Sequence, residues 1–514
     1  MMKKLPVIHP FLFAVIPILF LYAHNLDEAQ FSNVILPSAV MLAVIALTYL
    51  LLGIFIKDGK LKGVILTFSL AMFFSYGSFF MFVKGFSIGG FLIGREKFVF
   101  IAWVLILAAG IFLLIKLNKK FSYLENLTEI LNIASITMIL IISINVFTHS
   151  IKKSYSSDNS VLSFIHSKAG DFDKSRLPNI YYIILDGYGS SGILKKLYGF
   201  DNREFEAFLT KKGFYIAHES RCNYSTTMLS LASSLNMIHL PNNSMNIPLL
   251  DKKIQENNVM KVFNLEGYKT VCISSNITQP QHIQSADRNI HCGSFLADEF
   301  HTIIIDQTLL RAFNKYINFA YFYREKVLNA FSELRSVQQK TENPFFAFVH
   351  ILPPHPPYVF GPEAEPMFGS LTLTTWDDPW TQKDKYIDQV IFVNRSLENA
   401  IAKILSESKR PSVIIIQSDH GPRYLGENIT MKTTVEARIN IFNAIYLPGN
   451  EKKIFYRTVT PVNTFRLLFN KYFKANYPLL EDRSYFNISK FPYKFIDVTD
   501  SLKHSSNQSL DFVD

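Results

Sequence analysis

A mostly parallel α/β domain carried behind five membrane-spanning helices is the fold class this sequence predicts, and three observations predict it. Apolar residues make up 49% of the 514-residue chain and are concentrated in its first 150 positions. After a polar break, short apolar runs of strand length alternate with segments of helical periodicity. Two of those runs end in acidic residues, Asp186 and Asp419, at the point where strands of an open sheet deliver side chains to a site.

The membrane part comes first. A mean hydropathy of +0.15 is high for a soluble protein. Five apolar stretches, roughly 5–22, 33–56, 62–83, 98–115 and 128–148, are long enough or nearly so to cross a bilayer core as helices. The first reads as a span and not as a cleaved signal peptide, because further spans follow it and no small-residue cleavage site stands out. Lys3, Lys4, Lys57, Lys60, Lys62, Lys116, Lys119 and Lys120 fall on one side, against Lys84, Arg95 and Lys97 on the other. The basic bias makes the N-terminus cytoplasmic, and five spans then put everything after residue 150 outside the cytoplasm. No span carries a mid-membrane Asp, Glu, Lys or Arg, which excludes a proton relay or ion pathway in this half. Residues 1–150 therefore read as an anchor in the inner (cytoplasmic) membrane.

The formal charge is +10. The basic residues are scattered singly and in pairs, so no stripe points to nucleic acid, and the charge suits a membrane surface or phosphate substrates. Cys222, Cys272 and Cys292 show no CxxC spacing, which disfavours a thiolate zinc site, while the spacing of Cys272 and Cys292 permits a disulfide.

Residues 151–178 are rich in Ser, Lys and Asp and read as a linker. Residues 179–475 form the predicted catalytic domain. Ile180–Leu185, Lys269–Ser274, Phe345–Ile351, Val413–Gln417 and Ala444–Leu447 are strand-like. Residues 201–212 read as a helix opening at Asp201-Asn202 and stopping at Gly213, and 383–406 repeat apolar residues at helical spacing. The tail 476–514 is aromatic and polar without clear periodicity.

Four stretches carry chemistry. Asp186, in Asp-Gly at the end of the first strand, is placed for a metal, although Asp-Gly also makes a plain turn. Ser225, Thr226 and Thr227 open a helical segment, where hydroxyls either cap the backbone or serve as a nucleophile beside N–H groups that hold an anion. His350 and His355 flank the proline-rich loop after the third long strand, a stiff frame for two imidazoles that can hold or protonate substrate oxygens. Asp419 and His420, in the run Ser-Asp-His-Gly-Pro at 418–422, offer one hard oxygen and one borderline nitrogen to a divalent metal.

In that order these stretches resemble the alkaline phosphatase superfamily, and within it the sulfatase-like membrane enzymes, the lipoteichoic acid synthases and lipid A phosphoethanolamine transferases. The resemblance covers roughly residues 1–450. It implies one divalent metal, zinc or manganese, held by Asp186, Thr227, Asp419 and His420, with Thr227 as nucleophile. Thr227 is preferred over its two hydroxyl neighbours because Thr-Met-Leu-Ser-Leu-Ala-Ser is similar to the transferases' Thr-Ala-Leu-Ser-Val-Pro-Cys. It also implies a substrate-binding role for His355. The chain departs from the transferases in having Asp186 where they have Glu. It departs from true sulfatases in lacking Cys-x-Pro-Ser-Arg, since Cys222-Asn-Tyr-Ser-Thr has neither the proline nor the arginine. His350, Asp388 and Glu436 are the candidates for a second metal, and Arg423 and Arg438 are either phosphate clamps or surface residues. The expected activity is phosphotransfer or phosphodiester cleavage on a phospholipid head group or envelope glycan. The alternatives are a hydrolase of small phosphate or sulfate esters and a non-catalytic lipid- or partner-binding regulator.

Overall fold

The computed structural model describes residues 6–26, 31–89, 91–118, 124–155, 177–242, 245–276, 280, 282–293, 299–313, 319–342, 344–367, 379–425, 429–450, 454–488 and 491–502. The chain divides into two compact units. One comprises Met1–Ser157 with Asp298–Phe319, the other Asp158–Ala297 with Ala320–Asp514. Most of the predicted linker lies outside the described residues.

The first unit is a helical bundle of α1 (His9–His24), α2 (Phe31–Phe55), α3 (Gly59–Val83), α4 (Glu96–Asn118) and α5 (Leu124–Tyr155). Four helices, Phe31–Phe55, Gly59–Val83, Glu96–Leu117 and Asn126–Thr148, are long and apolar enough to cross a membrane. Leu50, Ile54, Leu105, Phe112, Ile141 and Phe147 remain exposed on them, an apolar belt that only lipid satisfies. The chain is a multi-pass membrane protein. The first expected span differs. α1 has 16 residues, about 24 Å of helix against a hydrocarbon core of about 30 Å. Its start is set by Pro10, which suits the first helical turn. Its orphan N–H groups are closed from α5, where Asn132 Oδ1 accepts from Ile8 N at 3.3 Å and His9 N at 3.0 Å. Asp58 caps α3 by accepting from the backbone of Lys60 and Leu61.

The second unit is built on a seven-stranded sheet. Its strands in chain order are β1 (Asn179–Leu185), β2 (Tyr215–Ile216), β3 (Lys269–Ser274), β4 (Arg288–His291), β5 (Phe345–Ile351), β6 (Ser412–Ser418) and β7 (Asn443–Tyr446). The spatial order is β2-β7-β6-β1-β5-β3-β4. The five strands from β6 to β4 run parallel, and β7 and β2 are antiparallel additions at one edge. Central β1 is buried along its whole length, as a strand covered on both faces must be. Its side chains alternate. Tyr181, Ile183 and Leu185 enter the core made with helices Phe319–Lys340 and Lys383–Glu407. Ile180, Tyr182 and Ile184 enter the core made with Thr227–Ser234, Asn258–Leu265 and Pro461–Phe473.

The predicted strands and the helices at 201–212 and 383–406 appear with ends shifted by a residue or two. The two edge strands β2 and β4 were not predicted, being short and only partly buried. The tail forms an antiparallel hairpin, Tyr485–Ile488 with Phe491–Asp497. Tyr224 stacks on Tyr485 with ring centroids 5.2 Å apart. All three cysteines are buried and free, so the permitted Cys272–Cys292 disulfide does not form.

Candidate active site at the strand ends

Register brings the site together. β1 lies between β6 and β5, and Leu185 pairs with both Ser418 and Ile351. The residues that follow Leu185 and Ser418, Asp186 and Asp419, therefore leave the sheet side by side. His350 sits one position before the end of β5, opposite Ile184. Ligand atoms of Asp186, His350 and Asp419 lie within 4.8 Å of one another, and all three residues are buried.

Backbone hydrogen bonds hold the Asp419 carboxylate and the Asp186 main chain. Asp419 Oδ1 accepts from Gly187 N at 3.2 Å and from His420 N at 2.8 Å. The Asp186 amide donates to Ile351 O at 3.0 Å, and the Asp186 carbonyl accepts from His355 N at 3.1 Å. Gly187 adopts φ 70°, and a Cβ there would come within 3.0 Å of Trp380, so the Asp-Gly turn needs glycine for conformation and for space. Gly421 has a different constraint. A Cβ on it would lie 2.0 Å from the carbonyl oxygen of Ala437 on helix Met431–Ile439. That close approach brings Arg438 against the site.

Thr227 is the first residue of its helix, Thr227–Ser234. Its Oγ1 lies 3.3 Å from Asp186 Oδ2 and 3.1 Å from His420 Nε2. The neighbouring hydroxyls go elsewhere. Ser225 Oγ is bonded to the Asn487 side chain of the tail hairpin, and Thr226 is the residue before the helix, with no side-chain cap bond. Ser230, one turn along, donates to Asp419 O at 2.7 Å and ties the helix to the strand end.

His420 Nδ1 is 3.0 Å from Gly421 O. A carbonyl only accepts, so Nδ1 carries the hydrogen and Nε2 keeps its lone pair. Nε2 faces Asp186 Oδ1 at 3.6 Å and Asp419 Oδ2 at 3.4 Å, and Arg438 Nη2 donates to it at 3.3 Å. Burial and the Arg438 guanidinium hold the His420 imidazole well below its usual pKa, so the ring is neutral. The two carboxyl groups are pushed apart. Burial, then the Asp186 charge, raises Asp419, whereas for Asp186 the opposing effect of burial is outweighed by His355 and by the contact with His350, which hold it below the ordinary carboxylate range.

This arrangement fits a divalent metal. Asp186 Oδ1, Asp419 Oδ2 and His350 Nε2 are buried polar atoms without a hydrogen-bond partner among the described residues. Two buried carboxylates and neutral imidazole nitrogens form a donor set suited to zinc or manganese, and a cation removes the cost of placing like charges together.

Of the residues singled out in the sequence, Asp186, Thr227, Asp419 and His420 converge, and His350 joins the same cluster, with Nε2 3.4 Å from Asp186 Oδ2. His355 lies at the rim. Its ring packs edge-on against Trp380 at 5.0 Å, and Nδ1 donates to Pro356 O at 2.7 Å, which leaves Nε2 outside that contact. Asp388 lies among Glu365 and Asp384, and Glu436 pairs with Lys196 at 2.6 Å, so neither joins the cluster. Arg423 is exposed. Arg438 is not a surface residue: it also donates to Ser225 O at 2.7 Å and Gly421 O at 3.1 Å. No periodicity could reveal it, because its role depends on the approach of its helix to Gly421.

With the geometry in place, the sequence was compared with known proteins. A sulfatase family profile matches residues 178–468. No curated protein matches the chain. Among solved structures, the chain is similar to the C-terminal periplasmic domain of EptC from Escherichia coli, with 13% identity, coverage of 64% of this chain and 94% of that one, and a TM-score of 0.42. It is also similar to the integral membrane lipooligosaccharide phosphoethanolamine transferase A from Neisseria meningitidis, with 11% identity, 88% and 90% coverage, and a TM-score of 0.38.

Proposed function

Because the chain belongs to the sulfatase family, we propose that it is a membrane-anchored, metal-dependent phosphotransferase or phosphodiesterase with Thr227 as nucleophile. The observation that carries this reading is the Thr227 hydroxyl at a helix start, within 3.3 Å of Asp186 and 3.1 Å of His420.

Asp186, Asp419, His420 and His350 are the residues that would hold the metal. When bound, a divalent ion lowers the pKa of a neighbouring hydroxyl and neutralises charge on phosphoryl oxygens. The chain's own groups do the rest. The Thr227 proton has two acceptors in reach, the Asp186 carboxylate and the neutral His420 Nε2. The N–H groups opening helix Thr227–Ser234 favour a tetrahedral anion in front of Thr227. The Arg438 guanidinium adds positive charge beside the nucleophile. His355, whose Nε2 is unengaged by its Pro356 contact, is the residue that would hold a substrate oxygen or protonate the departing one.

Phosphate is favoured over sulfate because sulfatase chemistry needs a cysteine-derived aldehyde. Cys222 is fully buried, and its thiol pKa is pushed far above the usual value by burial. The donor class is a phospholipid head group or an envelope glycan, which suits a catalytic unit joined to membrane helices. The outward orientation follows from α2–α5 alone. Lys57 before α3 with Lys60 and Lys62 in its first turn, and Lys116 near the end of α4 with Lys119 and Lys120 after it, mark the cytoplasmic face. α5 then exits on the opposite face whether or not α1 spans.

The test is head-group release from phospholipid vesicles by the purified full chain, with Thr227→Ala and Thr227→Ser. The alanine variant should lose turnover by a factor of 10³ or more, on the order of what removing a catalytic nucleophile costs. Wild type should accumulate a phosphoryl-linked mass on Thr227. Full turnover in Thr227→Ala would end this mechanism.

A further inference from the structure

Residues 298–319 lie in sequence between β4 and the helix Phe319–Lys340 of the catalytic unit, yet they belong to the membrane unit. The helix Glu299–Gln307 and the turn Leu309–Phe313 pack on the ends of four membrane helices. Phe300 and Ile304 cluster with Ile18 of α1 and Val34 of α2. Leu309 and Ala312 cluster with Tyr76 and Phe80 of α3 and Val99 and Trp103 of α4. Phe313 meets Phe100 edge-on at 5.5 Å. These positions share a feature. They fall toward the C-terminal ends of α1 and α3 and the N-terminal ends of α2 and α4, which for an up-and-down bundle is the face on which α5 ends.

Two details mark this as a built fit and not a loose apolar contact. Gly77 is a notch for the insert's backbone, since a Cβ there would lie 2.2 Å from Asp306 O and 2.5 Å from Gln307 Cα. Beside it, Arg311 is 7% exposed. Its guanidinium lies 3.5 Å from both Glu96 and Asp306 and 4.9 Å from the centre of the Phe80 ring. A buried arginine spanning a membrane helix and the insert is costly unless both partners are present.

We propose that residues 299–313 are a clasp, a second and non-covalent attachment of the catalytic half to the membrane half, which recognises the outer ends of α1–α4 through the Gly77 notch and the Arg311 charge cluster. The catalytic half is thus held at the membrane by its insert as well as by the segment that follows α5. The clasp is independent of the metal and of the reaction, and it needs no lipid for specificity.

The experiment uses the full chain in membranes, with a site-specific protease sequence placed within residues 160–170. After complete cleavage and a high-salt wash, the catalytic fragment should stay in the membrane pellet. Arg311→Glu and Gly77→Leu should each raise the released fraction about tenfold or more, because stranding a buried charge costs more than the ~1.4 kcal/mol of a tenfold shift. Glu96→Arg added to Arg311→Glu should restore retention, and an unchanged thermal transition of the catalytic half would show that each variant folds. Release of the wild-type fragment on cleavage would overturn the proposal. So would retention that ignores both Arg311→Glu and Gly77→Leu, which would mean that lipid, not the helices, holds the insert.

Discussion

Replacing Asp419 with asparagine should make the metal-free protein more stable and the metal-supplied protein relatively weaker. The side chain is nearly isosteric. Oδ1 would still accept from Gly187 N and His420 N. The other oxygen has no hydrogen-bond partner among the described residues, so an amide nitrogen in its place breaks no existing bond. The larger effect is loss of a like charge. Ligand atoms of Asp186 and Asp419 lie within 4.8 Å. At that separation and an effective dielectric of about 20, two unit charges repel by about 3.5 kcal/mol. Wild type has the opposite advantage once metal is present, since a ligand at a hundred times its Kd stabilises by about 2.7 kcal/mol. Thermal unfolding of the chelator-treated full chain at pH 8, with and without added zinc or manganese, reads both effects. Asp419→Asn should melt higher than wild type without metal and gain little from it. If the variant melts lower in chelator, or if both proteins gain equally from metal, the paired-carboxylate account is wrong.

Two other outcomes follow from the same geometry. Asp419 is raised in the folded state, so the folded protein binds that proton more tightly than the unfolded chain. Measured as the difference between wild type and Asp419→Asn, which cancels the opposing contribution of the lowered His420, stability of the metal-free protein should therefore increase as pH falls from 8 toward the ordinary carboxylate range; below that range the contribution of the lowered Asp186 is lost as it protonates. Gly421→Ala should cost about 1–3 kcal/mol, in line with overpacked interiors, because its Cβ would meet the Ala437 carbonyl at 2.0 Å. Displacing that helix also moves Arg438 from His420, so denaturant titration and metal binding by calorimetry should report a joint loss.

How much of this was legible depended on whether a signal was local. β1, β5 and β6 announce themselves as unbroken apolar runs, because central parallel strands are buried on both faces. Asp186, Asp419 and His420 stand out by the same logic, as polar residues straight after a buried strand, although either stretch alone could be a plain turn and it is their combination that points to a site. The edge strands β2 and β4 escaped because their pattern is set by a neighbour and not by burial. The tail hairpin escaped too, though its Asn487 holds the Ser225 hydroxyl just before the helix that Thr227 opens.

His350 and Arg438 show where reading a chain in one dimension stops. His350 falls inside a strand that reads as wholly apolar, and its meaning comes from the register that sets it opposite Ile184, two residues short of Asp186. A shift of one residue would turn it to the other face of the sheet. Arg438 lies on a short helix of weak amphipathic pattern, and only the missing side chain at Gly421 lets that helix come close enough for the guanidinium to touch His420. In both cases the chemistry resides in a pairing between distant segments. The glycine of Ser-Asp-His-Gly-Pro is therefore as much part of the candidate site as the aspartate and histidine before it: those two are the proposed donors, and the glycine admits the arginine that, together with burial, disfavours protonation of His420.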